Sequence, residues 1–333
     1  MTPRSVPGFS SIIGQAKPVK LLTAFVQKGT IPHALLFTGI DGVGKRTAAK
    51  TLAMACNCAA EDSRVRQDPN HAELPCGECR ACRKIASNHH PDILSIEPAD
   101  AIIRIAQIRQ LSDTLSMKPY EARHRVVILT DAQALNPEAG NALLKILEEP
   151  PDQTLLVLTA RQRSDLLPTI VSRCQHIRFG PLSSSNVAEL LMQSQDVDPD
   201  EAASLAHLAR GSFTRAIELH QKNWIDRRNW LIDELMKLPT QPTTVKLAWA
   251  NQLAQNKRFH EDTLEILQVW LRDLAVYPYN PQKIINKDLT DKIQYASQGV
   301  DTKALNVYIQ MLSKTQKEID ANVNIRLALE ALV

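Results

Sequence analysis

The chain has 333 residues, a length at which two or three domains are expected, and its 44% hydrophobic content is enough for ordinary cores. A net charge of only +3 argues against a strongly basic nucleic-acid-binding protein. No apolar run is long enough to span a membrane, and residues 1–11 lack the apolar centre of a signal peptide. We therefore expect a cytoplasmic protein with no membrane contact.

A glycine-rich loop lies between an apolar strand and a helix near the start of the chain. Residues 19–28 are predicted to form a short helix and Ala34–Phe37 a strand. The sequence G-I-D-G-V-G-K then opens a second helix, expected from about Gly44 to Cys58. A strand, a loop and a helix in this order are typical of a phosphate-binding P-loop. The candidate nucleotide-binding residues are Gly39, Gly42, Gly44, Lys45, Arg46 and Thr47.

The residue after Lys45 is unusual for a P-loop that hydrolyses ATP. A hydroxyl is expected there to hold Mg²⁺, but the chain has Arg46. Thr47 is one residue late, and one helical residue turns a side chain by about 100°. We therefore expect Mg²⁺ to be poorly held and hydrolysis to be poor, although ATP or ADP can still bind through Lys45.

Three cysteines at a spacing of three follow the P-loop helix, and a tetrahedral Cys₄ zinc site needs a fourth. Cys56 shares a helix face with apolar residues, which indicates a core position, whereas Cys58 lies at the helix end. His89 and His90 are possible substitute ligands. The sequence predicts a structural zinc module over about 56–85, with the ligands Cys58, Cys76, Cys79 and Cys82.

Strands and helices alternate after the cysteines. Helices are expected at Ile102–Met117 and around Ala139–Leu147, where Pro150 ends the second. Strands are expected at Asp92–Ile96, Arg125–Thr130, Thr154–Thr159 and Gln175–Phe179. This alternation implies a parallel sheet covered on both faces, so residues 1–181 are predicted to form an α/β P-loop domain with five strands.

The strand at Arg125–Thr130 is the candidate for the acidic strand of a nucleotide-hydrolysing site. Only Asp131 follows it, and Thr130 stands where an Asp that organises the metal is expected. Residues expected to bind Mg²⁺ are thus replaced at two separate positions, Arg46 and Thr130. Two replacements in one site favour a protein that has lost ATP hydrolysis. Asp131 is equally well explained as a turn residue.

The sequence after Pro181 is helical. Short amphipathic helices are predicted at Ser184–Gln193, Asp198–Ala209 and Phe213–His220. The remainder is predicted to be helical with breaks at Pro239, Pro242 and Tyr277–Pro281. We expect a small helical lid domain at 182–222 and an all-α domain at 223–333.

Several motifs occur together in this chain. They are Ile13-Gly14-Gln15, the P-loop, the inserted cysteines, N-A-L-L-K at 141–145 with E-E-P-P at 148–151, and Ser172-Arg173-Cys174. With them the chain resembles the AAA+ clamp-loader family of bacterial DNA polymerase III, in particular its δ′ branch. The resemblance is strong over residues 8–220 and rests on length and helicity beyond them.

The resemblance implies a subunit of a hetero-oligomeric ring that loads a sliding clamp onto primer–template DNA during replication. Its partners would be the τ/γ motor subunits, the δ subunit, the clamp and, through the assembled complex, DNA. Residues 223–333 would join the collar of the ring. The family's serine–arginine–cysteine motif implies that Arg173 is an arginine finger for the neighbouring motor subunit. Arg215 lies one place from the family's sensor-2 arginine, so that role is not carried over.

Two other functions are compatible with parts of the sequence. The chain could be an active motor of the τ/γ type, if Mg²⁺ is held without the usual hydroxyl and acid pair. It could also be a zinc-bearing DNA-binding module that joins no ring. The near-neutral charge argues against the second, because phosphate contacts need clustered Lys and Arg.

Overall fold

The computed structural model describes residues 8–59, 75–255, 260–298 and 304–312. The chain divides into two compact units, Met1–Asn186 with Gly211–Thr214 and Val187–Arg210 with Arg215–Val333. The three-domain division expected from the sequence, with boundaries at 181 and 222, stays a prediction. Of the helices in the described residues, none is long and apolar enough to cross a membrane.

A five-stranded parallel sheet forms the centre of the first unit, as predicted. The spatial order of its strands is β2-β3-β4-β1-β5. The strands are β1 Ala34–Thr38, β2 Ile93–Ile96, β3 Arg125–Leu129, β4 Thr154–Ala160 and β5 Gln175–Arg178. Every residue of β1, β3 and β4 is buried, which explains why their sequences are mostly apolar without alternation.

Helices cover both faces of this sheet. Because successive residues of a strand point to opposite faces, Leu35 and Phe37 pack into one core cluster and Ala34 and Leu36 into another. The helices of this region are α1 Ala16–Lys28, α2 Lys45–Cys56, α3 Arg80–Ala86, α4 Ile105–Ser116, α5 Pro137–Glu148 and α6 Pro168–Val171. The first cluster contains residues of α1 and α2, and the second contains residues of α4 and α5.

Several helices differ from the sequence-based expectation. Helix α4 begins at Ile105, three residues later than expected, and the short helix α6 was not expected. Helix α1 begins at Ala16, three residues earlier than expected. Helix α3 was not expected, because its seven residues include only two buried ones, Cys82 and Ile85. Its N-cap is Cys79, whose sulfur accepts a hydrogen bond from the backbone N–H of Cys82 at 3.4 Å.

The rest of the described chain is helical, as predicted. A 3₁₀ turn at Leu238–Thr240 and the end of a helix at Val276 coincide with the expected breaks. The helices are α7 Ser184–Gln195, α8 Pro199–Leu208, α9 Phe213–Gln221, α10 Trp224–Lys237, α11 Thr243–Gln255, α12 His260–Val276 and α13 Thr290–Ser297, and residues 304–312 are also helical. Within the second unit, the buried Arg228 binds Asn286 and forms an ion pair with Asp288.

Candidate phosphate loop, cysteine cluster and exposed arginine

The loop after β1 has the backbone conformation of a glycine-dependent turn. Gly42 has φ +77°, and a Cβ there would lie 2.5 Å from the backbone nitrogen of Thr214. The carbonyl of Gly42 also accepts a hydrogen bond from the backbone N–H of Phe213 at 3.1 Å. Glycine is therefore required at this position both by the backbone conformation and by the close approach of residues 212–214.

Gln15 holds the loop in place from outside it. Its side chain is only 2% exposed, and its amide nitrogen donates to the carbonyls of Gly180 at 2.7 Å and Val43 at 3.2 Å. Its amide oxygen accepts from the N–H of Gly180 at 3.2 Å. The Gln of the Ile13-Gly14-Gln15 motif thus links the phosphate loop to the segment after β5.

The ammonium group of Lys45 is surrounded by oxygen atoms of its own loop. It donates to the carbonyl of Gly39 and to that of Ile40 at 2.9 Å, and lies 3.5 Å from the carboxylate of Asp41. Burial lowers the pKa of Lys45, and the negative charge of Asp41 partly opposes this. An ammonium group has three N–H donors, so these three oxygens are together enough to satisfy it.

Asp41 also binds a second cation. The guanidinium of Arg161, which follows β4, contacts the carboxylate of Asp41 at 2.9 Å through Nε and 2.8 Å through Nη2. Asp41 therefore bridges Lys45 and Arg161. Phosphate oxygens entering the loop would compete with this carboxylate for both cations.

Neither Arg46 nor Thr47 is buried with Lys45. The guanidinium of Arg46 forms an exposed ion pair with Glu97, the residue after β2. Thr47 is exposed on α2. The residue next to Lys45 therefore places a guanidinium paired with Glu97, and no hydroxyl, at the position where a P-loop usually has its Mg²⁺-binding Ser or Thr.

The end of β3 also differs from a metal-binding acidic strand. The hydroxyl of Thr130 is buried and has no hydrogen-bond partner among the described residues. Asp131 has a left-handed backbone with φ +53°, typical of a turn, and its carboxylate accepts from the amide of Gln133 at 3.1 Å. It is near enough to Lys45 to raise the pKa of that lysine electrostatically.

The four cysteines predicted to bind zinc lie together. The sulfur atoms of Cys58, Cys76, Cys79 and Cys82 are all within 4.8 Å of one another. Tetrahedral Zn–S bonds of about 2.3 Å place sulfurs about 3.8 Å apart, so this set fits a zinc ion. Backbone N–H groups of three of these cysteines point at sulfurs at 3.4 Å, from Cys76 to Cys58, Cys79 to Cys76 and Cys82 to Cys79.

The surroundings of Cys82 favour its neutral thiol, because hydrogen bonding to Cys58 and burial raise its pKa. A metal ion binds the thiolate, so a bound zinc ion would offset this preference. Cys56 lies in the core instead, at 2% exposure. The alternative ligand His90 does not belong to the group of clustered ligand atoms found among the described residues, and its Nδ1 accepts a hydrogen bond from the backbone N–H of Asp92 at 3.2 Å.

A buried carboxylate anchors the loop after α4, a contact that no sequence pattern predicted. Asp92 is 3% exposed and accepts hydrogen bonds from the backbone N–H groups of Tyr120, Glu121 and Ala122 at 2.8, 2.8 and 2.9 Å. Glu121 in turn pairs with Lys84 of the cysteine-bearing helix α3 at 2.5 Å. Burial raises the pKa of Asp92, but the three N–H donors and the positive charge of Arg125 together outweigh burial, and the net pKa is lowered.

Arg173 follows the short helix α6 and is partly exposed. Its Nη1 donates to the carbonyl of Thr169 at 3.0 Å, and its Nη2 lies 2.7 Å from the carboxylate of Glu148. The neighbouring Cys174 packs against the core, and burial raises its pKa to about 11. Arg215, to which the sensor-2 role is not carried over, forms ion pairs with Glu218 and Glu265.

Comparison with known proteins identifies the family. A family model described as "DNA polymerase III, delta subunit" matches residues 14–183, and one described as "DNA polymerase III, delta subunit, C terminal" matches residues 221–333. The chain belongs to the DNA polymerase III delta-subunit family. This confirms the resemblance deduced from the motifs.

The δ′ members of the family match this chain along most of its length. It is 31% identical over 326 residues to DNA polymerase III subunit delta′ of Bacillus subtilis, covering 96% of this chain and 95% of that protein. It is 33% identical over 312 residues to the delta′ subunit of Pseudomonas aeruginosa, covering 90% of each. The tau subunit of Bacillus subtilis is 26% identical over 357 residues, which cover 98% of this chain and 60% of that protein.

The solved structures that align with this chain have lower sequence identity. A gamma-subunit-related protein of Thermotoga maritima aligns over 88% of this chain and 97% of its own, with 18% identity and a TM-score of 0.42. The RuvB Holliday junction branch migration motor of Thermotoga maritima aligns over 90% of this chain and 86% of its own, with 16% identity and a TM-score of 0.44.

Proposed function

We propose that this chain is a δ′-type subunit of a DNA polymerase III clamp loader and acts as a rigid ring member that does not hydrolyse ATP. Together with τ/γ motor subunits and a δ subunit, it would help to load a sliding clamp onto primed DNA in the cytoplasm. Membership of the family and similarity to δ′ proteins along nearly the whole chain support this assignment.

The observation that carries the non-hydrolysing role is the pairing of Arg46 with Glu97 beside the phosphate loop. A hydrolysing P-loop needs Mg²⁺ to neutralise charge between the β- and γ-phosphates. Here the position of the Mg²⁺-binding hydroxyl carries a guanidinium, and Thr130 replaces one expected acid. Both changes weaken the binding of a divalent cation. ATP or ADP can still be held weakly by Lys45, but without an ordered metal it would not be turned over.

Arg173 would act on a neighbouring subunit. An arginine supplied in trans stabilises the charge that develops on the transferred phosphoryl group. The side chain of Arg173 is 36% exposed and follows a short helix anchored by the buried residues Ile170 and Val171, so it can be presented to another protein. The arginine of the S-R-C motif would then be the chain's catalytic contribution, made to its neighbour's site.

The cysteine cluster would hold a structural zinc ion. Four thiolates fill a tetrahedral shell and leave no open position for a substrate or water. The ligands come from the end of α2, the following loop and α3, so a bound zinc would fasten α3 to the P-loop helix. The helices beyond residue 222 would belong to the collar of the ring.

Two ATPase measurements test the proposal. The purified chain is expected to have negligible activity, and turnover at the rate of a motor subunit would contradict it. In the reconstituted loader, Arg173→Ala should strongly reduce hydrolysis at the one site that faces this chain, since arginine fingers contribute roughly 10³-fold or more. Arg163→Ala, an exposed arginine ten positions earlier, is the matched control and should leave the rate unchanged.

The retained Lys45 and the similarity to τ subunits favour one alternative, an active motor of the τ/γ type. Lys45→Ala separates the two functions. A motor would lose clamp loading with this substitution, because the lysine neutralises phosphate charge in catalysis. A non-hydrolysing subunit would keep clamp loading in the assembled complex.

A further inference from the structure

The E-E-P-P sequence at the end of α5 has no role in the function proposed above. The structure places its first residue beside the candidate finger. Glu148 is the last residue of α5, and its Oε1 lies 2.7 Å from Nη2 of Arg173, which is 25 positions later in the chain. This distance is typical of a charge-assisted hydrogen bond.

The guanidinium is held from two directions. Nη1 donates to the carbonyl of Thr169 at 3.0 Å and lies 3.4 Å from the hydroxyl of Ser172, whereas Nη2 contacts Glu148. A guanidinium has five N–H groups. These contacts use three, which leaves the Nε N–H and one Nη2 N–H for oxygen atoms of an incoming phosphate.

We propose that Glu148 is a positioning residue that orients Arg173 for a phosphate bound by the adjacent subunit. The inference rests on the proposed role of Arg173 as a finger acting in trans. Arginine is long and flexible, and ordering it at the moment of reaction costs conformational entropy. Contacts with Glu148 and Thr169 order the side chain before the neighbouring subunit binds. Less conformational entropy is then lost when the transition state forms, so the activation free energy is lower and the rate is higher.

The solvent exposure of the pair sets the size of the expected effect. The side chains of Arg173 and Glu148 are 36% and 50% exposed. Exposed ion pairs couple weakly, which corresponds to about a two- to fivefold change in an equilibrium or a rate. A two- to fivefold slower catalytic site has lost about half to four-fifths of its rate. Since Arg173→Ala should remove nearly all of the rate at that site, the loss in a Glu148 variant should be about half to four-fifths of the Arg173→Ala loss.

The experiment is a double-mutant cycle in the reconstituted loader, with clamp and primed DNA present. Glu148→Gln keeps the shape and one acceptor oxygen but removes the charge. It is expected to lower kcat by about half to four-fifths of the Arg173→Ala loss and to leave the KM for ATP unchanged. Glu149→Gln is the matched control, because no ion pair of Glu149 occurs among the described residues, and it should match the wild type.

The cycle separates the positioning role from a structural one. In the Arg173→Ala background, Glu148→Gln should have no further effect, since the residue acts only through the arginine. A further loss there, or an unchanged or raised rate in the single variant, would overturn the inference. If Arg173→Ala itself leaves the rate intact, the finger role fails instead. Thermal unfolding and gel filtration check that each variant folds and assembles.

Discussion

The ammonium group of Lys45 lies 3.5 Å from the carboxylate of Asp41, within the loop expected to bind phosphate. Asp41 is also bound by Arg161, so one carboxylate neutralises two cations that would otherwise face phosphate oxygens. The loop thus satisfies its own lysine without a ligand. A nucleotide phosphate would have to compete with Asp41 for these two cations.

Removal of this carboxylate should strengthen nucleotide binding. Asp41→Asn is expected to raise the affinity of the isolated chain for ATP by about two- to fivefold, because exposed ion pairs contribute little individually. Titration of a fluorescent ATP analogue at low salt measures the change. Asp113→Asn, an exposed acid on α4, is the control and should bind like the wild type. A lower affinity in Asp41→Asn would mean that the aspartate supports the loop rather than competes with phosphate.

If the cysteine cluster binds zinc, replacing one of its cysteines should remove the zinc ion from the purified protein. The wild-type protein should contain one zinc ion per chain, and Cys82→Ser should lose it, because a buried thiolate is replaced by a poor ligand. Metal analysis by mass spectrometry, together with the melting temperature, gives the result. Cys174→Ser removes a partly buried thiol outside the cluster and should keep its zinc. Equal zinc in both variants would exclude the proposed ligand set.

The sheet and the clustering of the four cysteines could be predicted from the sequence because both depend on local pattern. Residues 155–158 of strand β4 are a continuous apolar run, and the choice of Cys58 over Cys56 as a member of the cluster followed from helix geometry. Helix α3 could not be predicted, since seven residues with two buried positions give little periodicity. Long-range polar contacts were also beyond reach. The pairing of Arg46 with Glu97 joins residues 51 positions apart, and nothing in their spacing indicates it.

Replacement of the buried, uncharged side chain of Gln15 should destabilise the fold. Gln15→Ala should lower the free energy of unfolding by about 1–3 kcal/mol, because it leaves the N–H of Gly180 and the carbonyl of Val43 without their partner. Urea denaturation followed by circular dichroism measures this. Gln110→Ala on the exposed face of α4 should change stability by less than about 0.5 kcal/mol. Equal effects in the two variants would show that the buried contacts of Gln15 add nothing.

Because Asp92 is buried and ionised, the stability of the fold should decrease in acid. Its pKa in the folded protein is lowered below the value of about 3.9 expected in an unfolded chain. The carboxylate therefore stabilises the fold fully above about pH 4, and the contribution is lost as the pH falls further through the folded pKa. Asp92→Asn should cost about 2–3 kcal/mol at pH 7, because three N–H groups lose a charged acceptor and the buried Arg125 loses a counter-ion.

The difference between the wild type and Asp92→Asn should therefore shrink as the pH falls below about 4, since the wild-type side chain then becomes neutral as well. Urea denaturation at several pH values from neutral to strongly acidic follows this difference. Asp152→Asn, an exposed acid before β4, should show no such trend. A difference that stays constant down to the lowest pH would mean that the shape of the side chain, and not its charge, anchors the loop after α4.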